Sequence, residues 1–522
     1  MMSRKYLFLT VFVGGMSTLA IEFTTSRMLQ AVYGTSNIVW ANVIGLVLLF
    51  LTAGYFWGGS LADKRPFPHV FYMLVTLAGL SSLFFLLLTS LLLRSAASAL
   101  AAVNLNAILS SLVGVVLALA VPVTLLGCIS PFAIRLGVQD VREAGRISGR
   151  IYAISTWGSL LGTYLSVLVT IPLTGTRITA VLFGLLLTLV GIGGMWQTHR
   201  RYALGLLAFG GAVLLAAWPW TQGTLKAYPG QVYETESAYN YIQVVQQDDC
   251  YYLLLNEGQA FHSFYCEGGR VPRISVWSIM LAAPYFNPAP VRVNSLGVVG
   301  LAAGTIPKQY TMVYGDISVD GIELDGEIVR VGRAYFDLTE PNIRVIVGDG
   351  RYELNRLDVR YDVITLDAYK VPYIPWHLTT REFFGEVKAH LTEQGVLAVN
   401  VGRAPHDRRL VDAIAATLLT VFPSVHAIDV PGSLNTILVA TVQPTTTDNL
   451  RQNLAELPEE AHPLLRAALE TAVANIVPVT PSDVVFTDER APVETIVDSL
   501  VIRFLLEEGP AGLPGLGITT ED

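Results

Sequence analysis

Four short segments in the C-terminal half of the sequence combine residue types that could hold a nucleoside and move a proton. Gly300-Leu301-Ala302-Ala303-Gly304-Thr305 is a run of small residues that lets backbone approach a ligand and opens a helix N-terminus. Glu323 closes an apolar run, a position from which a carboxylate can accept hydrogen bonds from ribose hydroxyls. Gly348-Asp349-Gly350-Arg351 supplies a second acid between glycines, and Asp367-Ala368-Tyr369 a third acid followed by an aromatic. Alone, each is more simply a turn, a cap or an ion-pair partner. Together, in order and each closing an apolar run, they point to a nucleoside-binding site, and no metal is expected in it.

The runs that carry these ends are Gly297–Gly300, Ile317–Glu323, Ile343–Val347, Tyr361–Asp367 and, fifth, Val396–Asn400. Over residues 295–442 they alternate with helical patterns, which implies a parallel, doubly wound α/β sheet with helices on both faces. Ligands of such sheets sit beyond the carboxyl ends of the strands. Residues 231–265 read instead as a small antiparallel β region: Tyr241–Val245 is one strand, and Cys250 and Cys266 flank a hairpin that turns at Glu257-Gly258-Gln259. A three-residue loop there places Cys250 opposite Cys266, within reach of a disulfide, and such bonds persist in oxidising compartments. Two reduced thiols in another register are the alternative.

The first half of the chain is built differently. Over all 522 residues the composition is 52% hydrophobic and 15% charged, with mean hydropathy +0.50, too apolar for a wholly soluble protein. Residues 1–226 carry 14 Lys and Arg against 4 Asp and Glu, whereas residues 227–522 carry 20 against 38. The acidic half lacks the basic surface that neutralises phosphates, so no nucleic-acid partner is expected. Seven apolar stretches, near 5–30, 37–61, 68–93, 105–134, 148–172, 178–197 and 202–219, are long enough to suggest spans of a lipid bilayer. Basic residues gather in alternate connections (Arg4 and Lys5; Lys64 and Arg65; Arg135 to Arg150; Arg200 and Arg201), which places the N-terminus in the cytoplasm. Seven spans would put the acidic half on the outer face of the plasma membrane; one miscounted span would reverse it. Within the first stretch Glu22 needs a partner in lipid, and Arg27 is the candidate, either as a structural pair or beside a cation route.

Glu236-Ser237-Ala238-Tyr239-Asn240-Tyr241-Ile242, Leu254-Leu255-Asn256, the glycine loop, Val319 to Asp325, Gly348 to Arg351 and Tyr361 to Asp367 together resemble the spermidine synthase family of polyamine aminopropyltransferases. With Tyr373-Ile374-Pro375-Trp376-His377 and the residues on to Phe384, the pattern is most similar to the membrane-fused branch of that family. The resemblance covers roughly residues 230–440 and implies a β-stranded N-terminal subdomain followed by a Rossmann-like methyltransferase fold. It implies transfer of an aminopropyl group from decarboxylated S-adenosylmethionine to a polyamine such as putrescine, releasing methylthioadenosine. On matching positions, Gly300, Ala302, Ala303, Gly304 and Gly350 would line the donor, Glu323 would hold its ribose, Asp349 would lie beside the adenine amino group, and Asp367 would help deprotonate the attacking amine. Tyr239, Asn240, Gln259 and Tyr369 would line the acceptor side, with core packing the alternative for the tyrosines. The resemblance also allows a homo-oligomer.

Departures from the family pattern matter equally. Leu301, Ala302 and Ala303 replace a loop that in soluble relatives carries the acid for the aminopropyl amine; Lys370 replaces a second aspartate; and Val276-Trp277-Ser278 replaces a tyrosine-histidine-glutamate segment. The expected organisation is a helical membrane domain at 1–226, a β subdomain at 227–292, a catalytic domain at 293–445 and a helical extension with tail at 446–522. Two alternatives stand beside aminopropyl transfer: methyl transfer from S-adenosylmethionine, and a catalytically degenerate domain that binds a nucleoside or polyamine and regulates the membrane half.

Overall fold

The computed structural model describes residues 3–33, 37–99, 107–221, 228–256, 261–271, 274–369, 373–480 and 482–507. They form two units, Met1–Tyr228 with Glu236–Tyr241, and Pro229–Thr235 with Ile242–Asp522.

The first unit is helical, and where its residues are described each of the seven apolar stretches lies in helix: Arg4–Tyr33, Asn37–Lys64, Pro68–Ala99, Ala107–Gly127 continued by Ile129–Gly137, Ala144–Leu165 continued through one π turn to Thr174, Thr176–Thr198 and Arg200–Thr221. Among the described residues five helical segments are long and apolar enough to cross a membrane: Arg4–Leu29, Trp40–Lys64, Gly114–Gly137, Val141–Thr174 and Thr176–Thr198. Gly158 and Gly162, one turn apart, let their helix approach the first one closely. A Cβ on either would lie 2.0 or 2.1 Å from the carbonyl oxygen of Phe12 or Met16. Large apolar side chains remain on the outside, Phe56 and Leu215 at 78% and 79% exposure. The expected Glu22–Arg27 pair does not form: no ion pair among the described residues takes in Glu22, and Arg27 donates to the carbonyl oxygens of Ser237 and Ala238 in the same unit.

The second half opens with a four-stranded sheet in chain order: β1 (Gln231–Glu236), β2 (Tyr241–Gln247), β3 (Cys250–Leu255) and β4 (Phe261–Cys266). Cys250 faces Cys266 in the β3/β4 register, and a disulfide joins them.

The larger sheet has eight strands: β5 (Ser295–Val299), β6 (Ser318–Glu323), β7 (Ile343–Val347), β8 (Tyr361–Leu366), β9 (Leu391–Gly402), β10 (Ser424–Asp429), β11 (Asn435–Thr441) and β12 (Ile476–Val477). Their order is β12-β10-β11-β9-β8-β5-β6-β7. β5 to β9 are parallel, as the five apolar runs imply, whereas β10, β11 and β12 join antiparallel, which corrects the expectation of an all-parallel sheet. Alternation divides the strand residues between two cores, Leu296, Val298 and Val363 on one face and Val299, Ile364 and Leu366 on the other. The sheet is therefore covered on both sides, and only the strand ends can open to a ligand.

Candidate active site

From β5 the chain proceeds outward through β6 to β7, then returns to β8 on the opposite side of β5. The carboxyl ends of β5 and β8 thus flank the switch point where doubly wound sheets bind ligands. Gly300 follows β5 and Asp367 follows β8, and the Asp367 N–H donates to the Val299 carbonyl at 2.9 Å.

The Asp367 carboxylate holds two fixed donors. The indole N–H of Trp277, on the short helix Val276–Met280, reaches Oδ2 at 2.8 Å, and the Asn400 amide, on β9, reaches Oδ1 at 2.8 Å. Burial pushes the carboxyl up to about 6, against the pull of Asn400 and Trp277 toward the ionised form. Tyr369 gives its hydroxyl to the Asn400 carbonyl oxygen at 3.1 Å, and burial holds its phenol far above the usual range. The result is a buried acid that titrates nearer neutrality than an exposed aspartate, with its orientation set from two elements. A group of that kind suits proton acceptance.

Glu323, at the end of β6, is nearly buried and accepts from two backbone N–H groups, Ala302 at 2.8 Å and Asp325 at 3.0 Å. Burial pushes it up to about 7, opposed by those hydrogen bonds. A carboxylate has about four acceptor sites, so these bonds leave it further acceptor capacity. The loop it holds turns through Gly300 (φ 90°), Ala302 (φ 48°) and Gly304 (φ 95°) before the helix Thr305–Tyr314. Ala303 donates its N–H to Ser263 on β4 and buries its methyl with Val331 and Phe336. An apolar contact stands there in place of the acid of the resembled loop.

Asp349 caps the helix Gly350–Leu354 through the Tyr352 N–H at 3.0 Å, and its other oxygen lies 3.1 Å from His377 Nε2. Gly350 leaves room for Val299, whose Cγ1 a Cβ would meet at 2.6 Å. Arg351 forks onto Glu386 and Asp488, which ties residues beyond the sheet to this end of the site. The structure therefore places Gly300, Ala302, Ala303, Gly304, Glu323, Asp349, Gly350, Asp367 and Tyr369 at the strand ends of one sheet. Tyr239, half exposed, and Asn240 belong to the turn that groups with the first unit. Gln259 and Lys370 lie outside the described residues. Trp277, Asn400 and His377 are site residues that the sequence reading did not assign. The signal for Asn400 is a polar residue closing the fifth apolar run; for Trp277, 90 residues from Asp367, it is only its place in the segment that replaces the tyrosine-histidine-glutamate of the resembled family.

Comparison with known proteins finds polyamine aminopropyltransferases and, over a shorter stretch, a methyltransferase. The spermine/spermidine synthase domain matches residues 298–451. A probable polyamine aminopropyl transferase of Bifidobacterium longum is 29% identical over 297 residues, 53% of this chain and 65% of the relative's length. A polyamine aminopropyltransferase of Vibrio vulnificus is 30% identical over 208 residues, 38% of this chain and 68% of the relative. The human eEF1A lysine and N-terminal methyltransferase is 29% identical over 163 residues, 29% of this chain and 23% of that protein.

Proposed function

This chain belongs to the spermidine synthase family of polyamine aminopropyltransferases, and we propose that it moves an aminopropyl group from decarboxylated S-adenosylmethionine to an amine. The observation that carries the reading is Asp367, a buried carboxylate fixed by Trp277 and Asn400 beside the Gly300 turn. A protonated amine has no lone pair. Asp367 takes its proton, the nitrogen then bonds to the methylene beside the sulfonium, and the carbon–sulfur electron pair leaves with neutral methylthioadenosine. In the same reading Glu323 accepts from the ribose, the loop Gly300 to Gly304 with Gly350 admits the donor backbone-close, and Asp349 meets the adenine. Tyr369 serves the acceptor, for which putrescine is the first candidate.

Five membrane-length helices and an exposed apolar exterior support a bilayer-embedded first unit. The N-terminus is cytoplasmic in this reading, and the Cys250–Cys266 disulfide favours the catalytic half on the oxidising, outer face of the plasma membrane. Residues 227–292 then serve the acceptor side, 293–445 catalysis, and 446–522 an extension.

One observation favours a second reading. Ala303 buries a methyl where the resembled loop has an acid, which removes a repelling charge from the carboxylate of ordinary S-adenosylmethionine and fits methyl transfer. Purified full-length protein incubated with putrescine or spermidine and each donor separates the two by mass spectrometry. Methylthioadenosine formed from the decarboxylated donor supports aminopropyl transfer. S-adenosylhomocysteine formed from the ordinary donor, without methylthioadenosine, overturns it in favour of methyl transfer, and neither product would overturn both.

A further inference from the structure

Behind Asp367 runs a chain of side-chain hydrogen bonds with a single direction. The Ser433 hydroxyl donates to Asn435 Oδ1 at 2.6 Å, Asn435 Nδ2 donates to Asn400 Oδ1 at 2.9 Å, and Asn400 Nδ2 donates to Asp367 Oδ1 at 2.8 Å. Every donor points toward the carboxylate. Asn400 is almost fully buried on β9, and Asn435 begins the neighbouring antiparallel strand β11, opposite Gly402. The sheet register thus stacks two amides behind the acid, and the turn before β11 supplies the terminal hydroxyl.

We propose that Asn435, with Ser433, is a positioning element for Asp367, holding the Asn400 amide in the one orientation that presents N–H rather than carbonyl oxygen to the carboxylate. Rotating the Asn400 amide by half a turn would set its oxygen against Asp367 and its NH2 against the NH2 of Asn435. With Asn435 in place, both ends of that rotation are unfavourable; without it, only one is. The effect on Asp367 has a definite sign. An N–H donor favours the ionised carboxylate, whereas a facing oxygen favours the protonated one, so loss of the chain raises the value at which Asp367 gives up its proton.

The other groups facing this assembly do not duplicate the function. Trp277 serves the opposite carboxylate oxygen, and the Tyr369 hydroxyl goes to the Asn400 backbone. At the far end Arg403 reaches the Ser433 carbonyl at 3.4 Å and Asp429 at 3.5 Å, and Asp429 is also held by Arg408. That ion cluster lies beyond Ser433 and touches the chain through backbone.

The inference rests on Asp367 acting as the base, and the test separates the two claims. The pH dependence of kcat/KM of the full-length enzyme is measured from pH 5 to 9 for wild type, Ser433→Ala, Asn435→Leu, Asn435→Asp and Asp367→Asn. Asn435→Asp, whose new carboxylate demands the NH2 of Asn400, moves the acid limb up by about one pH unit, an approximately fivefold loss at pH 6 that vanishes by pH 9. Asn435→Leu moves it the same way by less, and Ser433→Ala by least. A merely structural role would lower activity equally at every pH. An unmoved acid limb in both Asn435 variants overturns the positioning claim, whereas wild-type turnover in Asp367→Asn overturns the base itself.

A second measurement needs no turnover. The difference in Tm between wild type and Asp367→Asn, followed against pH, levels off where Asp367 finishes ionising in the folded state. In the Asn435→Leu or Ser433→Ala background that plateau arrives at higher pH, and coincident curves would refute the proposal.

Discussion

Gly300 and Asp367 touch backbone to backbone: a Cβ on Gly300 would lie 2.6 Å from the carbonyl carbon and oxygen of Asp367. Gly300 also sits at φ 90°, where a side chain is strained irrespective of space. Gly300→Ala therefore costs about 1–3 kcal/mol in backbone strain alone. It also displaces the Asp367 backbone, so kcat/KM falls further than the loss of Tm would suggest. Wild-type values for both in the purified variant would show that the contact constrains nothing.

Asp367→Asn keeps the shape of the side chain and removes the proton acceptor. Turnover is expected to fall about 10²- to 10⁴-fold, the usual worth of acid–base assistance, with methylthioadenosine affinity by calorimetry almost unchanged. A parallel loss of nucleoside affinity would place Asp367 in donor binding instead.

The acid limb of kcat/KM should lie near pH 6, the value to which burial pushes Asp367, with activity rising as the carboxylate ionises. Stability runs the other way. A folded-state value above the ordinary 3.8 means that the Asp367 contribution is fully present below about 3.8 and lost as pH rises through about 6. Activity and Tm measured on one pH series should therefore diverge between pH 4 and 6, and parallel profiles would contradict the assignment.

Glu323→Gln replaces one acceptor oxygen by an NH2 that must face a backbone N–H, from Ala302 or Asp325. Leaving one buried N–H unpaired costs about 1–3 kcal/mol. The loop that Glu323 holds is also the floor of the proposed donor site, so the methylthioadenosine Kd should rise about tenfold. Unchanged affinity in a folded variant would remove Glu323 from the nucleoside site.

Cys250 and Cys266 close a 16-residue separation, for which the loop-entropy model gives about 3 kcal/mol of stabilisation. Reduction, or the paired serine variant, should lower Tm by a corresponding amount. On intact cells, a membrane-impermeant maleimide should label these cysteines only after reduction. Labelling that requires lysis but no reductant would put the β region in the cytoplasm.

Much of the site was legible because each element announces itself locally. β5 to β9 are apolar runs, and Gly300, Glu323, Asp349 and Asp367 each interrupt one at its end. β10 and β12 were not legible for a physical reason. β12 has two residues and exists only through pairing with Ala427 and Ile428, and β10 carries His426 in its middle, stacked on Phe286. Trp277 stands where the resembled family has acids, and its indole N–H serves Asp367 across the fold. No local pattern encodes such a partnership. The helical stretches of the first half were readable from hydropathy, whereas the fate of Arg27 was not, since its acceptors Ser237 and Ala238 lie over 200 residues away.

Arg351 and Asp488 are 137 residues apart, and their pairing makes the Gly350–Leu354 helix depend on chain that follows the whole parallel sheet. During translation the glycine loop, Glu323 and Asp367 all leave the ribosome before the carboxylate that braces Arg351. A polypeptide cut short ahead of Asp488 would carry every residue proposed to touch substrate, yet leave Arg351 to Glu386 and the His377 carbonyl alone.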